Sequence, residues 1–228
     1  MFPAFDKIFT PENLIYLAQG ALISLIIAAL SLAFGLVFGI LGASAKISKN
    51  KFLRALGNIY VEVIRGTPML LQILLLFTVV PMMYTQITNG GIIRINTYVI
   101  GVIAMSINSG AYTTELIRSA INGIDKGQWE AADSLGMSHK QTMRFIILPQ
   151  AFKRIVPPLV SEFVTLIKDS SLISCIGAVE LLKASQVLGG NYYDFSSTLC
   201  IAGIYYLIMT LSISYFARKL ERKLAESD

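Results

Sequence analysis

An all-helical protein that crosses a membrane several times is the fold class this sequence predicts, on three observations. Only 14% of its 228 residues are charged and 54% are hydrophobic, whereas a water-soluble domain carries about 25% charged residues. The mean hydropathy is +0.64. The apolar residues are also gathered into uncharged runs, 13–45, 66–93, 95–114 and 195–217, each long enough for a helix to cross hydrocarbon, which takes ~20 residues. A helix satisfies its own backbone polar groups there, where an open sheet or loop does not.

The chain starts with an apolar, proline-containing segment that reads as interfacial. Thr10, Pro11 and Asn13 then mark a helix start, with Thr10 as N-cap, Pro11 at N1 and Asn13 at N3. The first span is expected over 14–45. It is too long for a signal peptide and lacks a basic leader, so it is expected to be retained. Gly35, Gly39, Gly42, Ala43 and Ser44 let a neighbouring helix approach closely. The cations Lys46, Lys49, Lys51 and Arg54 end it.

A second span is expected over 55–81, carrying Glu62, Arg65, Gly66, Thr67, Pro68 and Gln72. Pro68 inside it frees a carbonyl and predicts a kink. A loop over 82–96 follows, with Asn89-Gly90-Gly91 as its turn and Arg94 its one cation. The third span, 97–118, holds Ser106, Asn108, Ser109, Gly110, Tyr112 and Glu115. The fourth is expected after Pro157-Pro158 and is interrupted at Lys168-Asp169-Ser170-Ser171, with an apolar piece over 172–179 and a turn at Gly189-Gly190-Asn191. The fifth, 195–217, ends in Arg218, Lys219, Arg222 and Lys223.

The cations after span one, between spans three and four, and at the C-terminus fall on one side if there are five spans. The positive-inside rule then sets the N-terminus outside and the C-terminus in the cytoplasm. The whole of 1–228 reads as one transmembrane domain. Its net charge of +5 reflects loop topology, and no nucleic acid is implied.

The polar stretch 126–146 is the exception in an apolar chain. Asp125 is a candidate N-cap, with Gln128, Trp129, Ala132 and Leu135 near helical spacing and Gly136 where a left-handed C-terminal residue belongs. Ser138 and Gln141 form a capping box that starts a second helix toward Phe145 and Ile146. Pro149 and Pro157-Pro158 then punctuate the return to the membrane. Residue types alone fit two arrangements: a helix lying on the lipid surface, or a cytoplasmic hook that docks a partner.

Intramembrane polar groups are expensive and face a cavity or each other. Depth along the helices puts Thr67 to Gln72, Ser106, Asn108 and Ser109 near mid-membrane, and Glu115 with Arg118 toward the inner face. Glu62 with Arg118, or Arg65 with Glu115, are candidate ion pairs or substrate contacts. Glu162, Thr165 and Asp169 share one helix face that suits a cationic side chain or an ammonium, unless Lys168 neutralises it. Arg65, Ser106, Asn108 and the amides near Pro68 are candidate donors to a carboxylate.

The chain has no G-x-x-x-x-G-K-[ST] phosphate loop, no nucleophile–base pair and no metal-ligand spacing, so neither an enzyme nor a cofactor or metal site is expected. Cys175 and Cys200 read as free packing thiols and His139 as a solvated residue.

Glu130-Ala131-Ala132, Gly136 and Ile147-Leu148-Pro149 resemble the EAA loop of ABC importer permeases. Glu62-x-x-Arg65-Gly66-Thr67-Pro68-x-Leu70-x-Gln72, Ala111-Tyr112-x-x-Glu115-x-x-Arg118, Leu148-Pro149-Gln150-Ala151 and Leu166-Ile167-Lys168-Asp169-Ser170-Ser171-Leu172 are similar to the polar amino acid subfamily. The likeness spans roughly 60–182. Gly110 departs from the alanine or serine expected there, which would loosen span three or widen a cavity beside it.

The resemblance implies a type I importer permease in a bacterial cytoplasmic membrane, whose hook couples to an ATP-binding subunit through Trp129, Glu130, Ala131, Ala132, Leu135, Gly136 and Ser138. It implies two such subunits, a second permease copy (the same chain or a close paralogue), an extracytoplasmic solute-binding protein, surrounding lipid, and an amino acid substrate. The carboxylates Glu62, Glu115, Glu162 and Asp169 favour a basic amino acid, with glutamine or another polar amino acid as the alternative. A passive channel or ion-coupled carrier is the remaining rival.

Overall fold

A computed structural model of the chain describes residues 5–88, 90 and 95–225, with backbone alone at 5, 220, 221 and 223–225. These residues form ten α-helices and no strand: α1 (Phe5–Ile8), α2 (Pro11–Lys46), α3 (Lys51–Arg65), α4 (Met69–Thr88), α5 (Thr97–Asn122), α6 (Lys126–Ser134), α7 (His139–Thr142), α8 (Leu148–Asp169), α9 (Leu181–Tyr192) and α10 (Phe195–Ala225). A π-helical turn, Met143–Ile147, joins α7 to α8, and a 3-10 segment, Ser170–Ile176, follows α8. The N-cap at Thr10 forms as expected, accepting from the Asn13 amide with Pro11 at the helix start.

α5 is the central helix, packed against α2, α3, α4 and α8. The small residues of α2 make its side of that contact. A Cβ on Gly39 would lie 2.4 Å from Thr113 Cγ2, and one on Gly35 2.9 Å from Ser109 Cβ. Gly110 faces the same crowding from α5. Its missing Cβ leaves room for Phe38 and for Tyr60, whose hydroxyl donates to the Ile107 carbonyl at 2.6 Å. The space beside Gly110 is already filled by the Phe38 Cβ and the Tyr60 hydroxyl, so no cavity opens there.

Among the described residues, three helical stretches are long and apolar enough to cross a membrane: Pro11–Lys46, Met69–Thr88 and Phe195–Lys219. His139–Ile176 and Leu181–Tyr192 meet the same test only together, across a 50° bend, as a broken span or a re-entrant loop. α5 has the length, at 26 residues, but is more polar. Its Ser106, Asn108, Ser109, Thr113 and Thr114 are all buried against neighbouring helices.

Several expected boundaries move. The second span is two helices, starting at Lys51 and broken at 66–68, because Pro68 cannot donate to continue α3 and Gly66 ends it. Pro81 lies inside α4, which runs on to Thr88, so the 82–96 loop is helical over its first part. Asn89, Gly91 and Arg94 lie outside the described residues. α8 does not wait for Pro157-Pro158: it begins at Leu148, with Pro149 in its first turn and the other two prolines in its interior. Gly189 and Gly190 sit within α9, and the turn falls at Tyr193, where φ is 53°. Gly189 serves packing instead, since its Cβ would lie 2.7 Å from the Phe195 ring. Cys175 and Cys200 are free, as expected, but exposed and not packed inside.

Candidate functional site

Two assemblies stand out, a hook at one end and a polar pocket within the bundle. In the hook, Asp125 caps α6 through the Gly127 amide at 2.7 Å. Gly136 takes the left-handed conformation, φ 71°, that turns the chain, and the Ser138–Gln141 capping box starts α7. The second helix does not stop near Phe145 and Ile146. Pro149 has no N–H to give the Phe145 carbonyl, and the chain widens into the π turn and continues as α8. The Leu148 amide donates to the Met143 carbonyl across it.

Trp129 and Ile146 pack on a small core of Ile121, Ile124, Ile147 and Ala151, which fastens the hook to the ends of α5 and α8. Gln150 donates to the Gln128 side chain at 3.0 Å, and Arg154 to the Gly123 carbonyl. His139 is exposed but not merely solvated. Its ring stacks on Trp129, with centroids 5.7 Å apart. Ala132 is buried, while Glu130, Ala131 and Ser138 are exposed and Leu135 is 80% exposed.

The polar pocket, about 380 Å³, lies between α3, α5 and α8 and is lined by Arg65, Tyr112, Glu115, Ser119, Glu162 and Thr165 among others. Four expected site residues, Arg65, Glu115, Glu162 and Thr165, thus converge. The ion pairs differ from those expected. Glu115 is held by Arg118, one turn on along α5, at 2.8 Å, and by Lys46 from the end of α2. Arg65 lies over the Tyr112 ring, 4.9 Å from its centroid. Neither Glu62–Arg118 nor Arg65–Glu115 forms, because α2 brings Lys46 to Glu115 first, and Glu62 is exposed on α3. Glu162 faces Ser109 across the α5–α8 contact.

Other expected members stand apart. Gln72 donates to the Ile64 and Thr67 carbonyls and to Thr67 Oγ1, and accepts from Asn108 at 3.1 Å. This network braces the break between α3 and α4 and ties it to α5. It engages Thr67 and Gln72 with carbonyls at the break and uses one N–H of Asn108 on the Gln72 side chain. Ser106 donates to the Val102 carbonyl at 2.5 Å and borders an apolar groove. The Ser109 hydroxyl is buried, with Glu162 as its facing polar group. Asp169 shares the face of Glu162 and Thr165 but lies beyond the pocket lining, at the end of α8.

Residues 35–226 match the family of binding-protein-dependent transport system inner membrane components. The chain belongs to that family. It is 37% identical to the glutamine transport system permease protein GlnP of Escherichia coli over 91% of this chain and 92% of that one. It is 35% identical to the arginine transport system permease protein ArtQ of Bacillus subtilis over 93% and 94%. Among solved structures it is similar to an amino acid ABC transporter crystallised with histidines (TM-score 0.84, 35% identity, covering 91% of this chain and 94% of that one). The methionine transporter MetNI shares the fold at 17% identity (TM-score 0.75, covering 95% and 99%). The protein is a multi-pass bacterial inner-membrane ABC permease, not itself an enzyme.

Sequence reasoning missed one prominent group of this permease. Glu180 is fully buried and caps α9, accepting from the Leu182 and Lys183 amides at 2.9 and 2.8 Å. It also accepts from Ser24 on α2 at 3.3 Å and from Tyr206 on α10 at 2.9 Å. The available signal was a lone acid in an otherwise apolar stretch just after the left-handed Gly177. A charge there is tolerated only when fully hydrogen-bonded.

Proposed function

We propose that this permease is the transmembrane subunit of an ATP-driven importer of polar amino acids, with basic amino acids as its substrates. The observation that carries this reading is the continuity of hook and pocket. α7 passes through the π turn into α8, and α8 itself presents Glu162 and Thr165 to the polar pocket. A push on the hook therefore moves one wall of the pocket. The ATP-binding partner docks under 129–135, where Leu135 is bare, and two such subunits serve two permease copies, this chain with itself or with a paralogue.

Five spans, N-terminus outside, put every cation cluster on the hook side. They comprise α2, α3 with α4, α5, α8 through α9, and α10. The segments 82–96 and 188–194 then face the solute-binding protein. Closing the ATP-binding pair shifts the permease between two states, and each state must hold substrate differently for that shift to do transport.

Glu162 and Glu115 supply negative charge to the pocket, which supports a cationic side chain. Arg65 on the same wall supports the second reading, glutamine, for which relatives are named. Uptake by vesicles carrying wild type or Glu162→Gln separates them. Arginine or lysine uptake should fall on the order of tenfold more than glutamine uptake, as expected for losing one charged hydrogen bond. Equal loss for both would remove the specificity role of Glu162.

A further inference from the structure

An apolar groove of about 540 Å³ lies between α2, α5 and α8 at the base of the hook, distinct from the one that Ser106 borders. Ser44 is its only lining residue with a polar side chain. It opens outward, since Ile40, Ile47, Leu148 and Phe152 in its walls are exposed. The α2 wall extends from Leu36 to Ile47 and the α8 wall from Leu148 to Leu159, each about 16 Å at the helical rise. That is the depth of one leaflet, half of a hydrocarbon core of about 30 Å.

Positive charge gathers where this groove ends, at Ile47 and Met143. The stretch 36–61 holds Lys46, Lys49, Lys51 and Arg54, the stretch 134–161 holds Lys140, Arg144, Lys153 and Arg154, and neither contains an Asp or a Glu. Lys46 is taken by Glu115 and Arg154 by the Gly123 carbonyl, while Lys49, Lys51, Arg54, Lys140 and Arg144 are exposed. An apolar slot one leaflet deep with a cationic mouth complements an anionic phospholipid, and basic pockets between membrane helices bind such headgroups. A second copy of the chain meeting the groove through the same face would set these cations against each other. The floor of the groove is also one side of the hook's core. Ile121 and Ala151 belong to that core, Ile117 and Met143 pack on it, and all four line the groove. Met143 begins the π turn and Leu148 follows it, so the groove holds both flanks of the joint between hook and α8.

We propose that this groove seats one acyl chain of an anionic phospholipid, with the lipid phosphate held by Arg144 and Lys49, and that the bound lipid braces the hook from the membrane side. Arg144 offers a planar fork that matches a phosphate, and Lys49 a point charge beside it. Arg144 follows Met143 in the chain, and Lys49 lies just past Ile47, so both cations belong to the mouth. Glu162 and Thr165 do not line the groove, and the lipid acts whichever amino acid is carried.

The experiment uses the purified complex with its ATP-binding subunit, stripped of lipid in detergent. It is titrated with phosphatidylglycerol or with phosphatidylcholine of the same chains, and bound lipid is counted by native mass spectrometry. Wild type is compared with Lys49→Gln/Arg144→Gln and with Ser44→Trp, which places a ring in the groove from an exposed wall position. Lys219→Gln/Arg222→Gln is the control, removing exposed cations from α10, which does not line the groove. Wild type should bind its first phosphatidylglycerol on the order of tenfold more tightly than phosphatidylcholine, the scale of two cations at a headgroup. Lys49→Gln/Arg144→Gln should erase that preference, the control should keep it, and Ser44→Trp should weaken both lipids. Glycerol phosphate, which has the phosphate and no chain, should not compete. Hydrogen exchange over 139–147 should slow when phosphatidylglycerol binds wild type. A preference that survives Lys49→Gln/Arg144→Gln, or is lost equally in the control, overturns the headgroup assignment. Competition by glycerol phosphate overturns the acyl-chain seat, and unchanged exchange overturns the brace. Should Ser44→Trp instead release a permease copy with lipid binding intact, the groove is an interface between copies and the proposal falls.

Discussion

The close seam between α2 and α5 can be tested by adding one carbon. A Cβ on Gly39 lies 2.4 Å from Thr113 Cγ2 and 2.6 Å from Thr113 Cβ. Non-bonded carbons settle at about 3.5–4.0 Å, so Gly39→Ala requires the helices to part by roughly 1.1–1.6 Å at this level. Rotating Thr113 does not relieve it, since Cβ itself is too near and the residue is fully buried. Overpacking of this kind costs about 1–3 kcal/mol. Replacing a helical glycine by alanine returns about 1 kcal/mol, and the control must carry the same gain. Gly203 in α10 provides it, because a Cβ there meets nothing within 4 Å. Thermal unfolding of the purified protein in one detergent should therefore place Gly39→Ala below Gly203→Ala by about 1–3 kcal/mol. Equal stability of the two variants would refute the seam.

Two further perturbations follow from the same geometry. Gly136 is left-handed with nothing within 4 Å of a Cβ, so a side chain there starts in open space and carries about 1–2 kcal/mol of backbone strain, which Gly136→Trp combines with a bulky surface. The variant should keep the protein in the membrane while lowering amino acid taken up per ATP hydrolysed; an unchanged ratio would contradict docking beneath the hook. Glu180→Ala orphans two amides and two buried hydroxyls. It should destabilise by on the order of 3 kcal/mol in the same unfolding assay, with Glu180→Asp recovering part, and a variant as stable as wild type would show that the cap contributes nothing.

The hook was the most legible part of the chain because its signals are local. Asp125, Gly136, Ser138 and Gln141 act on backbone within a few residues of themselves, and each does in the structure what its type and spacing predict. The glycines of α2 were legible as a contact for the same reason, although the sequence did not say that Thr113 and Ser109 fill them. Long-range partners were not readable. Glu115 had Arg65 as its sequence candidate, Arg118 being matched with Glu62, and Lys46 reaches Glu115 only because α2 and α5 lie side by side. The prolines misled where they were taken as boundaries. Pro149 sits in a first helical turn, and Pro157 and Pro158 are absorbed within α8, whereas Pro68 follows the helix end at Gly66. Gly189 was misread as a turn because a glycine needed for packing against Phe195 looks the same in sequence as one needed for a positive φ. Thr67, Gln72 and Asn108 were found as an intramembrane polar group, but the carbonyls of the broken helix take the hydrogen bonds of Thr67 and Gln72, and Gln72 takes one from Asn108.

The claim at the centre of this account is that ATP hydrolysis on a partner subunit drives polar amino acids through this chain. It is tested most directly by radiolabelled uptake into vesicles holding the permease with its ATP-binding and solute-binding partners, ATP inside, competed by each polar amino acid. The account predicts saturable uptake that stops without ATP and is competed best by arginine, lysine or histidine. Uptake that proceeds equally without ATP would contradict it.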